Sequence, residues 1–346
     1  MKRFLAIALV GATFATGSLA PGARRAFAAD DAALLKEAQS QFKPLPKDFT
    51  TAETPATPER VALGRALFFD KRLSTDGSTS CSRCHPPEKH AADGLPKSIG
   101  VQGKLNPRNA PSILNAALQA PVHWRGDRKN VEDQAARSLT GATSFGNADA
   151  AAAVARIKAI PGYKDMFARA FPGEADPISV ENAGKAIGAF ERLLVTPSRF
   201  DAYLGGKIDA LTPGERKGLA KFMENGCSAC HNGAGLGGQS FQKFGVVEEY
   251  AKLTGSKTPD KGRFDVTRDE ADMFVFKTSM LRNVARTAPY FHDGSVARLE
   301  DAVRIMARAQ LGKTLSDEDV GDIVTFLGSL TGEAPELLAK APELPK

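Results

Sequence analysis

Cys81-Ser82-Arg83-Cys84-His85 and Cys227-Ser228-Ala229-Cys230-His231 are the two stretches that decide how this chain is read. Each is C-x-x-C-H, the attachment signature of a c-type haem. The two thiols can form thioethers to the porphyrin, and the adjacent histidine can ligate the iron from one side. On a helix, positions i, i+3 and i+4 share a face, so all three side chains can meet one flat cofactor. The chain has four cysteines, and these motifs use all of them. A redox dithiol, or one four-cysteine zinc site built from both pairs, are the rival readings. Against both stand the separation of the motifs (227 − 81 = 146 positions) and the histidine that follows the second cysteine each time.

The N-terminus reads as a secretory signal peptide, residues 1–28. Lys2 and Arg3 form a basic start, an apolar run extends from Phe4 to about Ala20, and Ala26-Phe27-Ala28 resembles an A-x-A cleavage site. Gly11, Thr13, Thr16 and Gly17 interrupt the run, which disfavours a retained membrane anchor. Covalent haem attachment in bacteria takes place outside the cytoplasmic membrane, so both signals point to the periplasm and to a mature chain that does not span the membrane. The formal charge of +6 loses Lys2, Arg3, Arg24 and Arg25 with the peptide, and 6 − 4 leaves +2. No basic block remains, which argues against a nucleic-acid partner.

A long, imperfect internal repeat frames the two motifs. Thr57-Pro58-Glu59 predicts a helix start, with a threonine cap and proline in the first turn. Thr212-Pro213-Gly214-Glu215 predicts another, with Glu215 spaced for a capping box. Each half then reads as a capped amphipathic helix, a short loop and a haem-binding helix. Further helices are expected over 148–160, over 178–194 and from Ser316, the last with a stripe of Val320, Ile323, Val324 and Leu327. Strand alternation is scarce. The expectation is an all-α chain of two cytochrome c-like haem domains with long ordered loops: 29–195 around the first motif, 196–332 around the second, and a tail over 333–346. The low aromatic content suggests that haem replaces part of the core. Gly233 to Gly238 matches G-x-G-x-x-G, but it directly follows the second C-x-x-C-H motif where a nucleotide fingerprint needs a strand before and a helix after, so it reads as a loop passing near the porphyrin and not as a nucleotide site.

A haem iron takes a sixth ligand or keeps an open position, and that choice separates electron transfer from chemistry. Beyond His85 and His231, the histidines are His90, His123 and His292. Met306 follows the second motif at the distance typical of cytochrome domains, although an amphipathic helix also buries methionine simply as core.

The stretch Arg286-Thr-Ala-Pro-Tyr-Phe-His-Asp-Gly294, followed by Met306, resembles the bacterial di-haem cytochrome c peroxidases. So do Leu63-Gly-Arg-Ala-Leu-Phe-Phe-Asp70, Asn109-Ala-Pro-Ser-Ile-Leu-Asn115 and Leu194-Val-Thr-Pro197. The likeness runs over roughly residues 45 to 332 and extends to the MauG group, di-haem enzymes that oxidise side chains of a partner protein. The resemblance implies that Met306 is the distal ligand of an electron-accepting haem, where the MauG group has tyrosine. It implies that Trp124 relays electrons between the haems and that Gln134 lines the peroxide pocket. It further implies that Asn109, Thr287 and Pro289 hold calcium between the domains, and that His292 supports the interdomain region. The activity implied is reduction of hydrogen peroxide to water, with electrons from a small periplasmic cytochrome c or cupredoxin. A homodimer is the expected assembly. A MauG-like oxidase of a partner protein is the alternative, and a plain electron carrier is a third reading.

Two positions depart from the family pattern. Many members carry a histidine sixteen residues after the first haem histidine, which caps the peroxidatic iron; here it is Val101. The first haem is therefore expected to be open, with His90 as the fallback ligand. The distal glutamate that moves a proton between peroxide oxygens is matched by Ser144. A serine hydroxyl is a poor acid or base at neutral pH. His123 and Glu132 lie nearby in sequence as substitutes.

Overall fold

The protein is described from a computed structural model, which describes residues 21–346, with side chains from Asp30 onward. The basic start, the apolar run and most of the predicted signal peptide lie outside the described residues. Among those described, no helix is long and apolar enough to cross a membrane.

The first half contains α1 (Pro21–Gln41), α2 (Pro58–Phe69), the one-turn α3 (Cys81–Cys84), α4 (Val131–Ser138), α5 (Ala150–Lys158), α6 (Gly162–Ala170) and α7 (Val180–Glu191). The second contains α8 (Arg199–Leu204), α9 (Pro213–Glu224), α10 (Tyr250–Thr254), α11 (Phe264–Thr267), α12 (Leu299–Leu311), α13 (Asp317–Gly328) and α14 (Glu336–Ala339). Helix dominates, but the chain is not purely α. β1 (Phe241–Lys243) and β2 (Val275–Lys277) pair antiparallel, with Phe241 opposite Lys277. Three residues per strand leave too short a run for period-2 alternation to stand out in the sequence.

Local chemistry sets the helix starts as the sequence predicts. Thr57 Oγ1 accepts from Arg60 N at 3.3 Å. Thr212 and Glu215 form the reciprocal box: Glu215 N donates to Thr212 Oγ1 at 3.2 Å, and Thr212 N to Glu215 Oε2 at 2.8 Å. Asp149, Ser179 and Ser316 cap α5, α7 and α13. The predicted helix over 148–160 is thus trimmed at both ends, and α6, which the sequence reading did not anticipate, resumes directly after Pro161.

The haem-binding helices are shorter than expected. α3 is a single turn, and Cys227–Ala229 is a 3-10 turn. Pro86 explains the first: the residue before a proline is pushed out of the α region, and His85 sits at φ −126°, ψ 58°. Gly233, at φ +70°, turns the chain shortly after the second.

Two apolar clusters carry most of the core. The first gathers Leu63, Leu67, Phe68 and Phe190 with Tyr163 and Phe167, from α2, α6 and α7, and Leu194 from just beyond α7. The second gathers Phe200, Phe222, Phe326 and Leu327 from α8, α9 and α13. Each is organised around a helix pair drawn together at a glycine. A Cβ on Gly64 of α2 would collide with Ala186 O of α7, and one on Gly218 of α9 with Asp322 O of α13. Edge-to-face ring pairs such as Phe200–Phe326, at 5.3 Å, fill the second cluster, so aromatic packing is not sparse here despite the low overall content.

The chain ends are distributed differently from the expected division at 195/196. Ala38 and Phe42 of the N-terminal segment pack into the second cluster. Leu338 is fully buried in the first, flanked by Ala334, Leu337 and Leu344, and Gly162 N donates to Lys346 O at 2.8 Å. The segment expected to be a tail is therefore anchored to the first core through Leu338.

Candidate functional site

All four cysteines are free, in two turns that also carry His85 and His231. In each turn the histidine ring is fixed through Nδ1. His85 Nδ1 lies 3.0 Å from Ala91 O. His231 Nδ1 lies 3.2 Å from Leu236 O and 3.1 Å from Ser279 O. Donation from Nδ1–H to a carbonyl selects the tautomer whose Nε2 lone pair is free for a metal. Burial lowers both histidine pKa values, which keeps the rings neutral as ligation requires. Neither Nε2 has a hydrogen-bond partner among the described residues. Two thiols, one oriented imidazole and an unclaimed Nε2 per turn form a donor set that fits a covalently attached haem.

Gly237 lets the second turn form. Its φ is +119°, and a Cβ there would collide with Ser279 O and approach the His231 ring. The G-x-G-x-x-G match is thus a loop that carries Leu236 O onto His231 and packs closely against Ser279, whose carbonyl meets the same ring.

Surrounding residues separate into those brought together and those spent elsewhere. Trp124 Nε1 donates to Asn109 O at 2.9 Å, and Asn109 N donates to His292 O at 2.8 Å. Trp124 and Met306 both pack against the aromatic cluster of Phe244, Tyr250 and Phe276. His292 is buried in the same place, stacked on Phe276 at 4.1 Å and edge-on to Trp124 at 6.3 Å. Trp124, Asn109 and Met306 thus belong to one neighbourhood.

Val101 is fully buried, and its side chain offers no atom that could ligate a metal. Its backbone N donates to Ser144 O at 3.2 Å, so the two positions that depart from the family pattern are hydrogen-bonded neighbours. The Ser144 hydroxyl donates to Ser138 O at 2.6 Å, closing the turn after α4. It is committed to backbone and is not free to shuttle protons. Gln134 sits half-buried on α4. Glu132 is locked to Arg192, and His123 Nδ1 lies 3.3 Å from Asp127 Oδ1. His90 adopts a left-handed conformation; burial first, then Arg286, lowers its pKa, while the Gly332 backbone beside its ring works against them.

Two residues escaped the sequence reading. Glu191 is buried at the end of α7, and its carboxyl, raised to about 8 by burial and then by Glu132, is opposed only by Arg192. Lys277 is also buried; its Nζ contacts Pro121 O, and burial lowers it to about 8. A lone acid among Ala183, Ala186, Ile187 and Phe190 was the available signal for Glu191.

Comparison with known proteins agrees with this arrangement. Residues 58–209 match the family model described as di-haem cytochrome c peroxidase. The cytochrome c551 peroxidase of Pseudomonas aeruginosa is 43% identical over 309 residues, 88% of each chain. MauG of Methylorubrum extorquens is 33% identical over 303 residues, 84% of this chain and 83% of that one. Among solved structures, a MauG-like protein associated with microbial copper homeostasis superposes with a TM-score of 0.75 at 33% identity, covering 87% of this chain and 97% of the other. The chain belongs to the di-haem cytochrome c peroxidase and MauG family, and it is an enzyme, an oxidoreductase, of that family.

Proposed function

We propose that this protein is a periplasmic di-haem peroxidase that reduces hydrogen peroxide to water with electrons from a small cytochrome c or cupredoxin. The observation that carries this reading is the pair of C-x-x-C-H turns, each with its imidazole pinned through Nδ1 and its Nε2 unclaimed. Cys81, Cys84 and His85 would hold one haem and Cys227, Cys230 and His231 the other, and bound haem supplies the electron storage and O–O cleavage that no side chain here can perform. Val101, buried and without a ligating atom in its side chain, would leave the first iron without a protein cap at that position, open to a small oxidant. Gln134 would orient peroxide by hydrogen bonding. On the second side, Met306 would supply sulfur, which raises the potential and makes that centre the electron entry point. Trp124 lies between the Asn109 backbone and the aromatic cluster that Met306 packs against, a position suited to wiring the two centres.

Calcium fits the same reading. Asn109 Oδ1 and the carbonyl oxygens of Thr287 and Pro289 accept no hydrogen bond among the described residues, and neutral oxygens are what a hard cation takes. The direct test is anaerobic turnover of the calcium-loaded enzyme with reduced cytochrome c and peroxide. The expected result is peroxide-dependent oxidation of the cytochrome; none at all overturns the proposal. Met306→Leu is expected to lower the second haem's potential by on the order of a hundred millivolts.

The alternative, oxidation of a partner protein's side chain, draws support from the match to the MauG-like structure and from the committed Ser144 hydroxyl. Met306 speaks against it. A modified partner side chain after peroxide addition, with no cytochrome oxidised, would establish it instead.

A further inference from the structure

The two halves repeat each other at a constant spacing in the loops that meet between them. Asn115 and Asn283, both left-handed, open the 3-10 turns Ala116–Leu118 and Val284–Arg286, and 283 − 115 gives an offset of 168. The same offset relates His123 (φ +71°) to Phe291 (φ +69°), and Gly126 (φ +64°) to Gly294 (φ +62°). It relates the bridge Val122–Arg128 to the bridge Tyr290–Val296, and Val131, the first residue of α4, to Leu299, the first of α12. Even the bonds between the halves obey it: Asn109 N donates to His292 O, and Lys277 N donates to Trp124 O, both at 2.8 Å. The contact is reciprocal, each half offering the other the same bond.

That correspondence pairs the calcium candidates with a lysine. Thr287 and Pro289 match Gln119 and Pro121 in the first half, and Asn109 matches Lys277 in the second. Lys277 Nζ contacts Pro121 O, the carbonyl that corresponds to the one Pro289 would present to calcium. Lys277 is 5% exposed and makes no ion pair among the described residues. An ammonium buried without an anion is costly, and a carbonyl oxygen is the neutral group that both an ammonium and a hard cation take. Burial draws the Lys277 pKa only down to about 8, so the side chain keeps its charge at neutral pH.

We propose that Lys277 is a tethered cation at the counterpart of the calcium position, so that the contact between the halves has two cation places, one filled by a free ion and one by a side chain. The proposal deepens the calcium reading and rests on it for the first of these places. The asymmetry has a use. Lys277 holds Trp124 O through its amide and Pro121 O through its ammonium, so one residue seats the turn that carries the relay indole, and no metal is needed there. Asn109 reaches the matching turn only through its amide, to His292 O, and calcium supplies the missing charge. Calcium removal should therefore loosen the His292 turn and leave the Trp124 turn seated.

The test uses the full holoenzyme, checked for two haems per chain, with bound calcium counted by atomic emission after equilibrium dialysis against calcium up to about 1 mM. Wild type should hold one calcium, Lys277→Asn two and Asn109→Lys none, because each exchange copies one place into the other. Lys277→Met separates a cation that holds the turn from one that is merely tolerated. Replacing a tolerated buried ammonium by an apolar chain of similar length raises the thermal midpoint. Loss of a cation that satisfies Pro121 O lowers it instead, by roughly 5 °C, and calcium does not restore it. In Lys277→Asn calcium should restore the midpoint, and a chelator should remove that gain. A count that stays at one in Lys277→Asn, or an unchanged or raised midpoint in Lys277→Met, overturns the proposal. Should Lys277→Asn fail to assemble, Lys277→Met and Asn109→Lys decide. A wild-type enzyme without calcium would instead sink the calcium reading, and the midpoint of Lys277→Met would still report whether Lys277 holds the Trp124 turn.

Discussion

The two haem turns share a sequence pattern but not a chemical environment. Around His85, ionisable groups are close: Asp93 and His123 act on the ring, and Glu191 acts on Cys81. Around His231, only burial and two carbonyls act on the ring, and Phe222 meets it edge-on at 6.4 Å. The first turn has ionisable groups beside its imidazole; the second has carbonyls and apolar packing there, with Lys313 acting on its Cys227 thiol. A centre that breaks an O–O bond needs the former, and a centre that only passes electrons benefits from the latter, since a rigid, dry surrounding changes little between redox states.

The sharpest way to break this comparison is to remove one turn at a time. Cys81→Ala with Cys84→Ala should abolish peroxide turnover while leaving the spectrum of the second haem in place, read by haem stain and optical titration. If turnover survives, the assignment of roles is reversed. The next effect is on stability. The Arg282 side chain is fully buried and binds Asp201 at 2.6 and 2.9 Å beneath the second turn. Asp201→Asn should cost about 3–5 kcal/mol by leaving that cation unpaired, measured by denaturant unfolding. Burial alone would raise the Asp201 pKa, but Arg282 and the backbone donors Ser198 and Leu45 outweigh it and hold it low. The stabilisation is therefore present above the unfolded carboxylate value of about 3.9. It is lost as pH falls through the lower folded value, and Asp201→Asn should flatten that acid limb.

A smaller effect is expected at Gly237. Alanine there meets both a positive φ and Ser279 O, so about 2 kcal/mol should be lost, together with the tight seating of His231. Its imidazole would then resemble that of His85, with one carbonyl in place of two. The smallest effect compares the two repeat starts. Thr57→Ala should cost about 1 kcal/mol in thermal unfolding. Thr212→Ala should cost somewhat more, because Thr212 also holds Glu215, which pairs with Arg199.

Legibility followed the range of each interaction. Caps at Thr57, Thr212 and Ser316 depend on residues three apart, so they could be read directly from the sequence. The haem motifs were readable for the same reason, although Pro86 and Gly233 shortened the helices expected to carry them. What stayed hidden depends on partners distant in the chain. The fate of the Ser144 hydroxyl is set by how the turn after α4 closes. The isolation of Glu191 exists only because Arg192 reaches back to Glu132 and Phe49. The short β1–β2 pair joins residues more than thirty positions apart, which no local pattern announces.

The exchange of termini has one more consequence. Phe42, from before the first motif, plugs the core of the second half, and Leu338, from beyond the second motif, plugs the core of the first. Each buried side chain of this kind contributes about 2 kcal/mol. Neither half is then self-sufficient: a polypeptide severed at the midpoint would yield two fragments, each with a hole in its centre. The two halves are obliged to mature, and to come apart, together.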